Sequence, residues 1–359
     1  MNEKLLKKLR NREEKGTLRS LSSFDGMIDF ISNDYLGFAN FNLDLSNSIE
    51  SGATGSRLIS GNRLRTEELE NAIAKKFGFS YGLFFNSGYD ANIGVFSSIL
   101  QRGDVVIYDE FVHASIRDGI RLSFAESFSF RHNDLVHLEE RLKICSADNI
   151  YIAIEGLYSM NGDICLLEEI NNLASSYSAK IIIDEAHSGG VLGEDGRGVL
   201  LDPTESEAVI CKLITFGKAF GSHGAIVLSN DENIRSYLIN FARSFIYTTA
   251  LPLASFEKVI SILDSELYPN RRNDLARIIL KYNDLFPHSK SKTPIKIIKG
   301  YSITELQQIE KRAKQTKLGV KAIFSPTVPE GHECIRIALH SFNNESDLLL
   351  LQEILNIEE

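Results

Sequence analysis

The sequence is poor in cysteine: Cys145, Cys165, Cys211 and Cys334 are the only four in 359 residues, and they stand far apart. No CxxC pair and no histidine at metal-site spacing accompanies them, so neither a disulfide framework nor a zinc site is expected, and no metal enters the expected chemistry. Buried, reduced thiols of a cytoplasmic protein are the expectation instead. Missing too is any apolar run of the roughly eighteen residues that a membrane helix needs. The amino terminus, MNEKLLKKLRNREEKG, lacks the apolar core of a signal peptide and places leucines 5, 6 and 9 between charges, which predicts an amphipathic helix. Blocks of like charge are absent as well. The net charge of -9 is spread along the chain, which argues against nucleic acid as a partner.

Two nucleotide-binding motifs also fail. The stretch IIIDEAH has the look of the acidic metal-binding motif of helicase-type ATPases, but the phosphate loop G-x-x-x-x-G-K-[ST] does not precede it. The one Gly-Lys pair, Gly217-Lys218, comes after DEAH, is followed by Ala219, and has Lys212 where the loop's first glycine is required. No G-x-G-x-x-G follows an early strand, which argues against a nicotinamide enzyme.

What the chain does contain is a regular alternation of helical lengths and short apolar strands. MIDFISNDYLGF alternates like a strand and breaks at Asn33-Asp34 and Gly37. TEELENAIAKKFG reads as a helix opened by a capping Thr66 and closed at Gly78. Strands follow in YGLFFNSG, DVVIYD, NIYIAIEG, KIIIDEAH and VICKLITF. Continuous apolar strands separated by helices predict an α/β domain with a mainly parallel sheet covered on both faces. Near residues 266–274 the pattern shifts to a long helix, a strand PIKIIKG, a helix over 303–318, and two neighbouring strands, VKAIFSP and CIRIALH, too close for a crossover helix. These predict a smaller α+β carboxyl-terminal domain. The expected divisions are a helix and strand segment at 1–36, a large α/β domain at 37–266 and the α+β domain at 267–359.

Ligands of open α/β sheets bind beyond the carboxyl ends of the strands. Gly88, Tyr89, His113, Glu155, Ser159, Asp184, His187, Thr215 and Lys218 all follow a predicted strand. Lys218 has no acidic residue within three positions, only small and apolar neighbours such as Gly217, Ala219 and Gly221. A strand-end aspartate, a histidine three residues on and a lysine after a later strand fit pyridoxal phosphate, whose electron-sink chemistry needs a lysine amine and a carboxylate at the ring nitrogen. Lys218 and Asp184 are the candidates for those roles. An apolar setting lowers a lysine's pKa and makes it a nucleophile and base near neutrality. The N–H groups of Gly88 and Tyr89, at a strand-to-helix junction, and the Thr215 hydroxyl are candidate phosphate donors. His113 is a candidate for stacking on the ring. Each has a structural alternative: a helix cap for Asp184, a strand residue for Thr215, a turn glycine for Gly88 and a hydrogen-bonded core histidine for His113 or His187.

The motifs SNDYLGF, GATGSRLISGN, FFNSGYDAN, DEFVHASIRDG, EGLYSMNGD, IIIDEAHSGGVLGEDGRG, TFGKAFGSHGA and IYTTALP, spread over nearly the whole chain, resemble those of the α-oxoamine synthases, pyridoxal-phosphate enzymes of fold type I. SPTVPEGHECIRIALHSFN at 325–343 is most similar to the biotin-pathway branch. The resemblance implies decarboxylative condensation of L-alanine with a pimeloyl thioester, carried by coenzyme A or an acyl carrier protein. It also implies that Ser159 and His187 contact the cofactor ring hydroxyl, and that His113 contacts substrate. A homodimer with shared sites is implied as well, in which Thr248 or Thr249 reaches the partner's phosphate. Arg19, Asn33, Thr327 and Arg336 are the substrate candidates by the same resemblance, Arg336 because a guanidinium holds a carboxylate through two hydrogen bonds. For Arg19, the alternative is a solvated charge at a helix end. Other family reactions, with glycine or serine and another acyl thioester, and a ligand-binding regulator that keeps the fold, are the competing readings. The amino-terminal segment and the carboxyl-terminal domain are shorter than the family pattern.

Overall fold

In a computed structural model, the protein is described at residues 2–19, 21–41, 52–199, 206, 208–289, 291–325 and 327–355. The chain divides into two compact units, a central one of residues 33–276 and a terminal one of residues 1–32 with 277–359. The chain passes between them twice, at residues 32–33 and at residues 276–277, the second inside a long helix.

The terminal unit begins with α1 (Glu3–Glu14), capped by the Asn2 side chain, which accepts the Lys4 N–H at 2.9 Å. No residue of this helix is buried. The strand predicted at MIDFISNDYLGF shrinks to β1 (Ile28–Asp29). Its physical cause is Asp29, whose Oδ1 accepts the N–H groups of Ile31 and Ser32 at 2.8 and 2.9 Å and turns the backbone away from a ladder.

In the central unit, α2 (Leu64–Lys76) is capped at Arg63, three residues earlier than the sequence suggests, so Thr66 is a buried first-turn residue and not the cap. Then come β2 (Tyr81–Phe85), α3 (Gly88–Ile99), β3 (Val105–Asp109), α4 (Ala114–Leu122), β4 (Glu126–Phe130), α5 (Leu135–Ile144), β5 (Ile150–Glu155), α6 (Leu167–Ser176), β6 (Lys180–Asp184), β7 (Val209–Thr215) and β8 (Ala225–Ser229). Four more helices follow: α7 (Glu232–Phe241), α8 (Arg243–Ile246), α9 (Leu253–Leu263) and α10 (Leu267–Leu285). The seven strands form one sheet in the order β2-β8-β7-β6-β5-β3-β4. All pair in parallel except β8, which runs antiparallel to both β7 and β2.

Sequence reading overlooked β4 and β8 for different reasons. β4 is an edge strand, Glu-Ser-Phe-Ser-Phe, whose first three residues are exposed, so it lacks the apolar run of a buried strand. β8 is fully buried but follows the small-residue segment after Lys218 with no helix between. The sheet centre is aliphatic: Ile107, Ile152, Ile154, Ile181, Ile182 and Ile183 are all fully buried. Burying a side chain of this kind contributes roughly 1.5–3 kcal/mol, which is what keeps the strand ends in fixed positions.

The rest of the terminal unit holds β9 (Ile295–Ile298), α11 (Ile303–Gln315), β10 (Leu318–Gly319), β11 (Lys321–Ile323), β12 (Cys334–Ala338) and α12 (Glu345–Leu355). β11-β12-β9 is the antiparallel sheet expected from the sequence, and β10 pairs in parallel with β1. A capping box of Ser302 and Glu305 starts α11. The four cysteines are free. Among the described residues, no helix is long and apolar enough to cross a membrane.

Candidate cofactor and active site

The parallel strands of the central unit end at one edge of the sheet, and there a cavity of about 160 Å³ opens. Gly88, Tyr89, Asn92, His113, Ser115, Glu155, Asp184, Ala186, His187, Thr215 and Lys218 line it. Eight of the nine strand-end residues singled out in the sequence, Glu155 among them, thus line one cavity; Ser159 is the exception. The pairing explains part of this convergence, since Glu155 and Asp184 are register partners at the ends of β5 and β6.

Ser87 caps α3 through its hydroxyl, which accepts the Asp90 N–H at 3.0 Å, and its carbonyl accepts the Ala91 N–H. That leaves the N–H groups of Gly88 and Tyr89, the first two of the helix, facing an end where the dipole favours an anion. A Cβ on Gly88 would sit 3.3 Å from the Thr215 Cβ, so glycine keeps this cradle open. The Thr215 hydroxyl donates to the Gly224 carbonyl at 3.2 Å and accepts the Gly217 N–H at 3.4 Å.

Asp184 accepts the Ala186 N–H on one oxygen at 2.8 Å and the Asn92 Nδ2 on the other at 2.7 Å. His113 caps α4, and its N–H donates to Glu155 at 2.5 Å. Desolvation against the cavity wall is the largest influence on the His113 imidazole, although the residue keeps an exposed face, and it holds the pKa below the usual histidine value. Asp184 opposes this and the positive charge of Lys218 reinforces it. Glu155 is pushed up to about 8, mainly by burial and by the neighbouring Asp184, against the pull of Lys218 and of the His113 N–H. Lys218, isolated from acids in sequence, therefore shares its cavity with two carboxylates brought by β5 and β6. His187 Nδ1 is 2.7 Å from the Tyr35 hydroxyl, which also donates to Asn33 at 3.1 Å.

Ser159 and the two threonines are not among these lining residues. Ser159 lies half-buried in the turn after β5. Asn86 Nδ2 holds the Thr248 hydroxyl at 3.1 Å and the Thr249 carbonyl at 2.8 Å, and Thr248 borders a separate narrow crevice with Arg57 and Phe245. In the terminal unit, Arg19 donates to the Thr327 hydroxyl at 2.8 Å, and Arg336 lies half-buried on β12. Asn33 belongs to the central unit.

Sequence reading missed Asn92, Ser115 and Tyr35. The signal for Asn92 was present, because it lies one helical turn after Gly88 and shares its face. Ser115 follows His113 by two, and Tyr35 sits inside the quoted SNDYLGF.

The donor set fits pyridoxal phosphate: an amine, a doubly hydrogen-bonded carboxylate, a flat histidine and a helix N-terminus free for a phosphate, around a cavity that also buries the Asn92 Oδ1 without a protein partner among the described residues. The model of the family described as aminotransferase class I and II matches residues 25–349. An 8-amino-7-oxononanoate synthase of Emericella nidulans is 36% identical over 97% of this chain and 93% of its own length. A solved 8-amino-7-oxononanoate synthase from Francisella tularensis superposes with a TM-score of 0.75 at 29% identity, covering 92% of this chain and 97% of that one. A serine palmitoyltransferase from S. paucimobilis, solved with PLP and myriocin, gives a TM-score of 0.87 at 23% identity over 98% and 96% of the two chains, a likeness of fold.

Proposed function

Because the chain belongs to the aminotransferase class I and II family, we propose that it is a pyridoxal-phosphate enzyme that condenses L-alanine with a pimeloyl thioester, releasing carbon dioxide and free thiol and giving 8-amino-7-oxononanoate. The observation that carries this reading is the single cavity at the strand ends that gathers Lys218, Asp184 and His113. The full-length similarity to proteins named 8-amino-7-oxononanoate synthase supports the choice of reaction. When bound, the cofactor supplies an electron sink for negative charge at the amino acid's Cα.

The protein's own residues do the rest. Lys218 supplies the amine that holds the cofactor and, once displaced, takes the Cα proton and later returns one. Asp184, kept in place by Asn92 and the Ala186 N–H, would hold the ring nitrogen. His113 would lie against the ring, and His187, oriented by the Tyr35 hydroxyl, is assigned with Ser159 to the ring hydroxyl. Gly88, Tyr89 and Thr215 are assigned to the phosphate. In the reaction the Cα–carboxylate bond breaks, a bond from Cα to the acyl carbon forms, and the thiolate leaves with a proton.

Arg19, Asn33, Thr327 and Arg336 are assigned to substrate on the family resemblance, and Thr248 and Thr249 to the phosphate of a partner subunit in a homodimer. The test is a panel: L-alanine, glycine or L-serine, each with pimeloyl, acetyl or palmitoyl thioesters on coenzyme A and on acyl carrier protein, with free thiol as the readout. Release with alanine and pimeloyl thioester is expected. Release with glycine and acetyl thioester, and not with the former pair, would overturn the assignment in favour of another acyl transfer.

A further inference from the structure

We infer that Asn92 and Ser115 are positioning residues that set the tautomer of His113, through a one-way chain of hydrogen bonds running from Asp184 to the imidazole. The direction follows from which groups can donate. The atom of Asn92 that lies 2.7 Å from Asp184 Oδ2 is the amide nitrogen, and the same nitrogen is 3.0 Å from Ser115 Oγ. An amide NH₂ has two hydrogens to give and no lone pair to offer, so the serine oxygen accepts. Its own hydrogen then points to His113 Nδ1, 2.7 Å away. A second observation fixes the same end independently: the Ser115 backbone N–H, which can only donate, lies 3.3 Å from the same Nδ1. Nδ1 is therefore the acceptor, and the neutral ring carries its proton on Nε2.

The chain is built into the fold. Asn92 is 2% exposed and Ser115 fully buried, so neither finds water to replace a partner. Their meeting depends on the close approach of α3 and α4, which Gly119 permits: a Cβ there would come within 2.8 Å of the Phe96 Cβ and 2.9 Å of the Asn92 carbonyl. The Asn92 Oδ1 is left buried with no protein partner among the described residues, as expected where the NH₂ side of the amide is what the site uses.

A ring in this state donates from Nε2 to an oxygen and cannot collect a proton there. Resting on the proposed function, this makes His113 a hydrogen-bond donor to a substrate carboxylate or acyl oxygen, and leaves proton removal to Lys218. The charged and titratable groups around His113 are Asp184 and Lys218 from the neighbouring strand ends, Asp118 on α4, Glu155 on β5 and Tyr89 on α3. Protonating Nδ1 would set its new hydrogen against the Ser115 N–H, so the chain also opposes the imidazolium.

The test is long-range ¹⁵N NMR of the histidine side chains in the holoenzyme, with His113 assigned by its loss in His113→Gln. The expected wild-type spectrum shows the Nε2–H tautomer for His113 near neutral pH. In Ser115→Ala, the Nδ1 resonance is expected to move and the ring's titration to rise by about 0.5–1 pH unit, the size of one hydrogen bond. Ser115→Thr, which keeps the hydroxyl, should restore both. An Nδ1–H tautomer in the wild type would overturn the inference even if no variant folds, and so would a Ser115→Ala spectrum and titration that match the wild type. Because the readout is the resting ring and not thiol release, it stands or falls apart from the substrate panel.

Discussion

Two histidine-bearing loops leave neighbouring strands of the central sheet and treat the same side chain in opposite ways. His113, after β3, stands exposed beside the cavity with its Nδ1 receiving hydrogen bonds from Ser115, and desolvation of the ring holds its pKa down. His132, after β4, is also desolvated, but its Nδ1 lies 3.0 Å from both Asp109 oxygens and its Nε2 2.7 Å from Asp163, and these partners outweigh burial and raise its pKa to about 9. Phe111 stacks on the His132 ring at 4.5 Å. What differs is the partner at each nitrogen, a donor in one loop and a carboxylate in the other. The first loop keeps a neutral ring available beside the cavity; the second spends its charge on tying the β3 end to the turn that carries Asp163 and Ser159.

The strongest way to break this contrast is to delete each ring in turn. His113→Ala is expected to lower turnover on the order of 100-fold or more while the fold loses only about 1 kcal/mol with the cap. His132→Ala should do the reverse, leaving Asp109 buried without its cation and costing about 3 kcal/mol of stability, with turnover of the folded protein near the wild type. Urea unfolding and steady-state thiol release, measured on both variants, separate the two outcomes. If both lose only activity, His132 belongs to the chemistry and the contrast fails.

A smaller effect is expected in the pH dependence of stability. The pKa of His132 is higher in the folded state than in the unfolded one, so its contribution is complete below about 6.5 and fades as pH rises through about 9. The pKa of His113 is lower when folded, so its unfolded form binds the extra proton and stability falls as pH drops below about 6.5. Unfolding midpoints across pH 5–10 should therefore show a shallower alkaline slope in His132→Asn and a shallower acid slope in His113→Asn.

Glu155→Gln sharpens the comparison with the least disturbance. The amide oxygen still accepts the His113 N–H, so stability should stay within about 1 kcal/mol near neutral pH. Since the folded pKa of Glu155 is about 8, wild-type stability declines as pH rises from the ordinary glutamate value toward 8, and the variant should not show that decline.

The two loops also show what a sequence can reveal. His113 was legible because it follows an apolar strand, and strand ends of a parallel sheet are where ligands bind. Asp184, Thr215 and Lys218 were legible for the same reason. The His132 clasp was not, because it follows β4, an edge strand with no apolar run, and because its partners Asp109 and Asp163 are brought to it by pairing and a turn. Asn92 and Ser115 were hidden differently: each is an ordinary polar helix residue until α3 and α4 close on Gly119. The strand at residues 28–29 was overread because its alternation hid the turn that Asp29 imposes. Local pattern thus located the elements and the edge of the sheet that holds the site, whereas side-chain partners required the tertiary fold.

Lys218 is the centre of the proposed site, and its role is tested most directly by covalent mapping. Protein purified with its cofactor is reduced with borohydride, digested and read by mass spectrometry. The expected result is a pyridoxyl group on the peptide that contains Lys218 and on no other. A label on Lys212, the buried lysine six positions earlier that lies 3.2 Å from Glu185, or an active, cofactor-loaded protein with Lys218 unmodified, would contradict it.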